Sequence, residues 1–140
     1  MILSQSLNEK NNLELTKGYI LESIAISKVV HAMQIERGLS SGFLAKESLD
    51  KVDSKLLLAK KNLNEAINEA RDIHKKNHFS KDENLLKLLN EIEIDRKNID
   101  LHNQNTTSMQ NYYSQKIESL LYYIATIPTF MNDRENIITG

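Results

Sequence analysis

Residues 52–73 read VDSKLLLAKKNLNEAINEARDI. Val52, Leu56, Ala59, Leu63, Ala66, Ala70 and Ile73 recur there in alternating steps of three and four. That is the period of a helix with one apolar seam packed against neighbours. The alanines allow a neighbouring helix to come close. The opposite face, with Lys60, Lys61, Asn64, Glu65 and Arg71, mixes charge signs and reads as solvated. This helix spans roughly residues 51–76 and sets the pattern for the rest of the chain.

Working outward, the same steps appear three more times. A first helix, roughly 12–45, carries Ile26, Val30, Met33, Arg37, Ser40 and Leu44 on one stripe. Beside it runs a stripe of Ile20, Ile24, Ser27, His31, Gln34, Gly38 and Ser41. The pattern lapses from Lys46, and Asp50 suits an N-cap for the helix that follows. Ser80 and Glu83 have capping-box spacing. From there a third helix runs to about His102 with Leu85, Leu89, Ile92, Arg96 and Ile99 in phase. A fourth, roughly 107–127, keeps Met109, Tyr113, Ile117, Leu120, Ile124 and Ile127 in register. Pro128 lacks a backbone donor and is expected to kink or end it. Short connections between such segments predict an all-α antiparallel four-helix bundle with long first and last helices.

Composition agrees. The 140 residues suit one domain, 1–140, and only four Gly and one Pro leave little turn chemistry for sheets. A net charge of −1 without a basic face argues against nucleic acid. The absence of cysteine removes disulfides and thiolate chemistry. No Glu-x-x-His motif supports a di-iron centre, and His74 with His78 reads as a surface pair. No nucleophile elbow, phosphate loop or carboxylate pair appears, so no enzyme, catalytic residue, metal site or cofactor is expected. No apolar run reaches the ~18–20 residues of a membrane span and no signal peptide is evident. The chain is therefore cytosolic, or a soluble part of a longer membrane protein.

Arg37 and Arg96 stand where the seams call for Leu or Ile. A buried guanidinium is costly unless paired, so each either meets a carboxylate or awaits an anion. The fork of an arginine suits planar oxyanions. Glu36 and Asp95 adjoin them but are expected to point elsewhere. After Arg37, Gly38, Ser40, Ser41 and Gly42 mark close helix approach, a hydroxyl-lined pocket, or simply the helix end. His31 could touch a ligand or sit at an interface. Tyr113 is the ring of the Tyr112-Tyr113 pair expected to face the core, where its hydroxyl needs a partner.

The string VVHAMQIERGLSSGFL, residues 29–44, resembles the first-helix signature of the nitrate- and nitrite-sensing (NIT) domain. Residues 94–100 (IDRKNID) and the region from Tyr112 to Leu121 echo two further parts of that family. The resemblance covers about 21–127. It implies a ligand-sensing domain of bacterial chemoreceptors or sensor kinases, excised from a longer membrane-anchored protein. It also implies homodimeric association, the periplasmic face of the inner membrane, and signalling by helix displacement. By the same resemblance Arg37 and Arg96 would bind a small anion such as nitrate or nitrite. Ser40, Ser41, His31 and Tyr113 would assist, and an organic acid or amino acid is the alternative ligand. One anion could be shared by the same arginine of both subunits.

Overall fold

The computed structural model describes residues 2–44, 54–77, 83–99 and 105–139. They form four helices: α1 (Ile2–Leu44), α2 (Ser54–Lys76), α3 (Asn84–Asn98) and α4 (Thr106–Thr139). Side-chain bonds between them fix their directions. From Lys28 to Glu36 along α1, the α2 partners fall from Glu69 (3.2 Å) to Lys60 (3.4 Å). From Arg37 to Ser41, the α4 partners fall from Ser114 (3.3 Å) to Gln110 (3.4 Å). Arg71 bonds Asn90 while Arg96 reaches back to the Lys60 carbonyl, so α2 and α3 also run oppositely. Glu91 with Lys116 and Asp95 with Tyr112 do the same for α3 and α4.

The helices pack in a ring in chain order, which sets α1 diagonally across from α3. Seam residues fill the middle. Ile26, Met33, Leu63, Ile67, Leu85, Leu89, Ile92, Met109, Tyr113 and Leu120 are all but fully enclosed. Each such aliphatic side chain contributes roughly 1.5–3 kcal/mol through burial, which is what holds short helices like the 15-residue α3.

Helix ends depart from expectation in four places, the first being α1, which begins at Ile2 and not near residue 12. α4 continues through Pro128 to Thr139 instead of stopping there. α3 begins after Glu83, which makes no side-chain cap bond, and ends at Asn98, where Ile99 turns extended. α4 is capped by Asn105, whose Oδ1 accepts from the Ser108 backbone N–H at 2.7 Å. The expected caps at Asp50 and Ser80, and His78 and His102, lie outside the described residues. At the end of the bundle where α1 begins and α4 finishes, α2 is fastened to α1. There the Asn77 Nδ2 donates to the Gly18 carbonyl at 2.9 Å.

Gly38 and Gly42 stay inside α1, and a Cβ at either would meet nothing within 4 Å. Among the described residues, then, close helix approach accounts for neither, and only Gly42 lies in the last turn of α1.

Candidate functional site

The register of α1 decides the site. The line of buried positions is Glu22, Ile26, Val29, Met33, Glu36 and Ser40. It keeps the same three- and four-residue steps as the apolar stripe, shifted by one residue at Val29 and at Glu36. So the charge facing the core is Glu36, at 0% exposure, and Arg37 sits at the edge of the seam, part-exposed. Glu36 was expected to point away from the seam, and the structure reverses that.

Glu36 meets Arg96 across the diagonal. Arg96 Nε donates to Glu36 Oε2 at 3.1 Å and Nη2 donates to Oε1 at 3.2 Å, a two-pronged pair. The Arg96 Nη2 also donates to the Lys60 carbonyl at 3.1 Å, and Nη1 bonds the Asn64 amide oxygen. Lys60 Nζ reaches Glu36 Oε1 at 3.4 Å. A carboxylate buried this deeply is tolerable only because two cations and several hydrogen bonds surround it. Lys60 and Arg71, expected on a solvated face, are thus tied into interhelix pairs, Arg71 with Glu93 and Asn90.

Two tyrosines close the cluster from α4. Tyr113 is buried with its hydroxyl facing Glu36 and Ser40. Burial first, then the Glu36 charge, pushes its phenol well above the usual tyrosine range. Tyr112 crosses its ring edge-on, with centroids 5.5 Å apart, and donates to Asp95 Oδ2 at 3.1 Å. Burial and the Asp95 charge push it up as well. The sign follows. Both phenols are held protonated in the fold, so their contribution is full below the unfolded pKa of about 10 and is lost as pH rises beyond it. A spectrophotometric titration should therefore show at least two of the five phenols resisting ionisation until the bundle unfolds.

Arg37 is different. Its Nη1 donates to Ser114 Oγ at 3.3 Å, and among the described residues it has no carboxylate partner. The neighbouring turn holds Ser41, whose Oγ accepts from Gln110 Nε2 at 3.4 Å. These four residues line the α1–α4 groove.

A family described as nitrate and nitrite sensing matches residues 28–139. The chain belongs to that family. No curated protein and no solved structure matches it. That family is one of sensing domains, and its matched region here begins just before the α1 string around Arg37.

The six site residues expected from sequence fall in three places in this NIT domain. Arg96, Ser40 and Tyr113 converge on buried Glu36. Arg37 and Ser41 face the α1–α4 groove. His31 is exposed on the α1–α2 face, where with Lys28, Ala32 and Glu69 it lines a shallow depression. Sequence reasoning missed Glu36, Lys60 and the buried pair of Glu22 with His74. His74, read as half of a surface pair, is enclosed between α1 and α2. The available signal was phase: Glu22 and Glu36 are in step with Ile26, Val29 and Met33.

Proposed function

We propose that this domain binds a small planar oxyanion of the nitrate class and that Arg37 is the residue that holds it. The observation that carries this is the difference between the arginines. Arg71 and Arg96 are engaged by Glu93 and Glu36, whereas Arg37 meets only a serine hydroxyl among the described residues. Its fork is open to a flat monovalent anion, and Ser114, Ser41 and Gln110 offer further donors beside it. Arg96, Ser40 and Tyr113 form the inner half of the site. They hold Glu36 in place one residue away, so that an anion on Arg37 is felt through α1 by the buried cluster.

The domain acts, on this reading, as the extracytoplasmic sensing part of a chemoreceptor or related membrane signal transducer. The start of α1 and the end of α4 emerge at the same end of the bundle, which suits spans on both sides. No described helix is itself long and apolar enough to cross a membrane. A homodimer would use the stripe of Ile20, Ile24, Ser27 and His31, whose isoleucines stay exposed on α1. The anion would favour one of two arrangements of the helices and signal by that difference in affinity. The same exposed stripe favours a second reading, a dimerisation module without a small ligand.

Thermal melting separates the two. Nitrate at about ten times its Kd should stabilise the domain by about 1.4 kcal/mol, raising Tm by roughly 5 °C for a chain of this size. Arg37→Ala should abolish the rise and leave the helical signal unchanged. A Tm that no oxyanion moves, or a rise that survives Arg37→Ala, would overturn the proposal.

A further inference from the structure

The face between α2 and α3 carries a groove of about 320 Å³ lined by Lys60, Asn64, Asn68, Glu93, Arg96 and Lys97. It lies on the far side of the buried cluster from Arg37. Its charge does not balance. Lys60, Arg96 and Lys97, with Arg71 at its end, supply four cations, against the two carboxylates Glu36 and Glu93.

The oxygens along it are already engaged. Asn64 Oδ1 accepts from Arg96 Nη1, and Asn68 Oδ1 accepts from Arg71 Nη1 at 3.0 Å. The Lys60 carbonyl accepts from Arg96, and Glu93 accepts from Arg71. The hydrogen bond from Arg71 holds the Glu93 carboxyl below the usual carboxylate range, so it stays ionised and matched to that arginine. With both amide oxygens taken by arginines, the amide N–H2 groups of Asn64 and Asn68 remain as donors on this exposed face. The ammonium groups of Lys60, 3.4 Å from Glu36 Oε1, and of Lys97, 3.8 Å from Glu93 Oε1, have donors to spare beyond those pairs and complete a rim of donors along the groove. Arg96, only 7% exposed, lends it a fixed positive charge that cannot swing away.

The donors are spread along the groove. From Lys60 to Asn64 is four residues of α2, about 6 Å at ~1.5 Å per residue, within reach of the two ends of a four-carbon diacid. A nitrate would satisfy one end alone. We infer that this groove is a second anion site, for an elongated dianion of the small dicarboxylate class. One carboxylate sits between Lys60 and Lys97, and the other is bound by the amides of Asn64 and Asn68 near Arg71. The two excess positive charges match the two of the ligand. The site is independent of Arg37 and of the nitrate reading.

Succinate is the probe. Titration calorimetry on the 140-residue domain should show saturable binding absent from a sodium chloride control of equal ionic strength. Amide NMR shifts should centre on residues 60–68 and 93–97. Lys97 is 75% exposed and Asn68 is exposed, so Lys97→Ala and Asn68→Ala should fold normally. Each should weaken succinate roughly tenfold by removing one charge-assisted contact, and Lys97→Arg should restore binding. Arg37→Ala should leave succinate untouched, as Lys97→Ala should leave nitrate. Succinate that does not bind beyond the salt control, that binds the two alanine variants as tightly as wild type, or that shifts residues around Arg37 instead would overturn the inference. Loss of the nitrate response with succinate binding intact overturns the nitrate proposal alone.

Discussion

Replacing Glu36 by alanine should lower the unfolding free energy by about 3–5 kcal/mol, a large part of the roughly 5–15 kcal/mol of an ordinary domain. The reason is what the substitution strands. Arg96 is nearly enclosed, and its Nε and Nη2 both end on the Glu36 carboxylate. Without it a guanidinium stays in the core with only the Lys60 carbonyl and the Asn64 amide to face. The Tyr113 hydroxyl loses a neighbour too. Urea denaturation reads this as a fall in midpoint at unchanged slope. If the cost is the uncompensated charge, the double variant Glu36→Met, Arg96→Leu should recover most of it, because an apolar pair needs no desolvation. A single variant that costs under about 1 kcal/mol would mean that water or Lys60 satisfies Arg96 in its place.

The same cluster shows where sequence reading reaches its limit. The seams of α2, α3 and most of α4 were legible because one apolar register dominates each, although Ile67 beside Ala66 is buried too and in α4 Tyr123 is buried in place of the expected Ile124. Leu56 to Ile73, Leu85 to Ile92 and Met109 to Leu120 line the core as their spacing requires. In α1 two registers compete, one residue apart. Val29 and Val30 are both buried, so the aliphatic residues cannot choose between them. The choice falls on Glu36 against Arg37. Pattern reading discards a register with glutamates at Glu22 and Glu36, since an isolated buried carboxylate is prohibitive. What reverses the penalty is the partner on another helix, Arg96 in one case and His74 in the other. Pairing across 52 or 60 residues of chain leaves no local trace. Pro128 misleads in the opposite sense: a local signal for a stop is overridden, and α4 runs on to Thr139. As for the proposed site, the string around Arg37 drew attention to that segment of α1. It could not say which of its side chains turn inward.

His74→Leu should be the other costly change, again about 3–5 kcal/mol, and should exceed Glu22→Leu at about 1–3 kcal/mol. His74 Nδ1 and the Glu22 carboxylate bond each other where His74 is 5% exposed and Glu22 0%. The two partners are not equivalent when left alone. An imidazole can remain in the core as a neutral ring, whereas a carboxylate keeps its charge or must take up a proton. Glu22 Oε2 already has no hydrogen-bond partner, so losing His74 leaves both oxygens bare. The double variant with leucine at both positions should regain much of the loss, and equal costs for the two single variants would refute this account. The pair also lies well away from the proposed anion site. Fifteen residues of α1 separate Glu22 from Arg37, about 22 Å along the helix, beyond the range at which substitutions usually interact. Stability should therefore fall in His74→Leu while the nitrate-dependent rise in Tm persists. Arg37→Ala should do the reverse. Finding both effects in one variant would show that the Glu22–His74 contact, which binds α2 to α1 near the end where α1 begins and α4 finishes, is part of the response to the anion as well as of the fold.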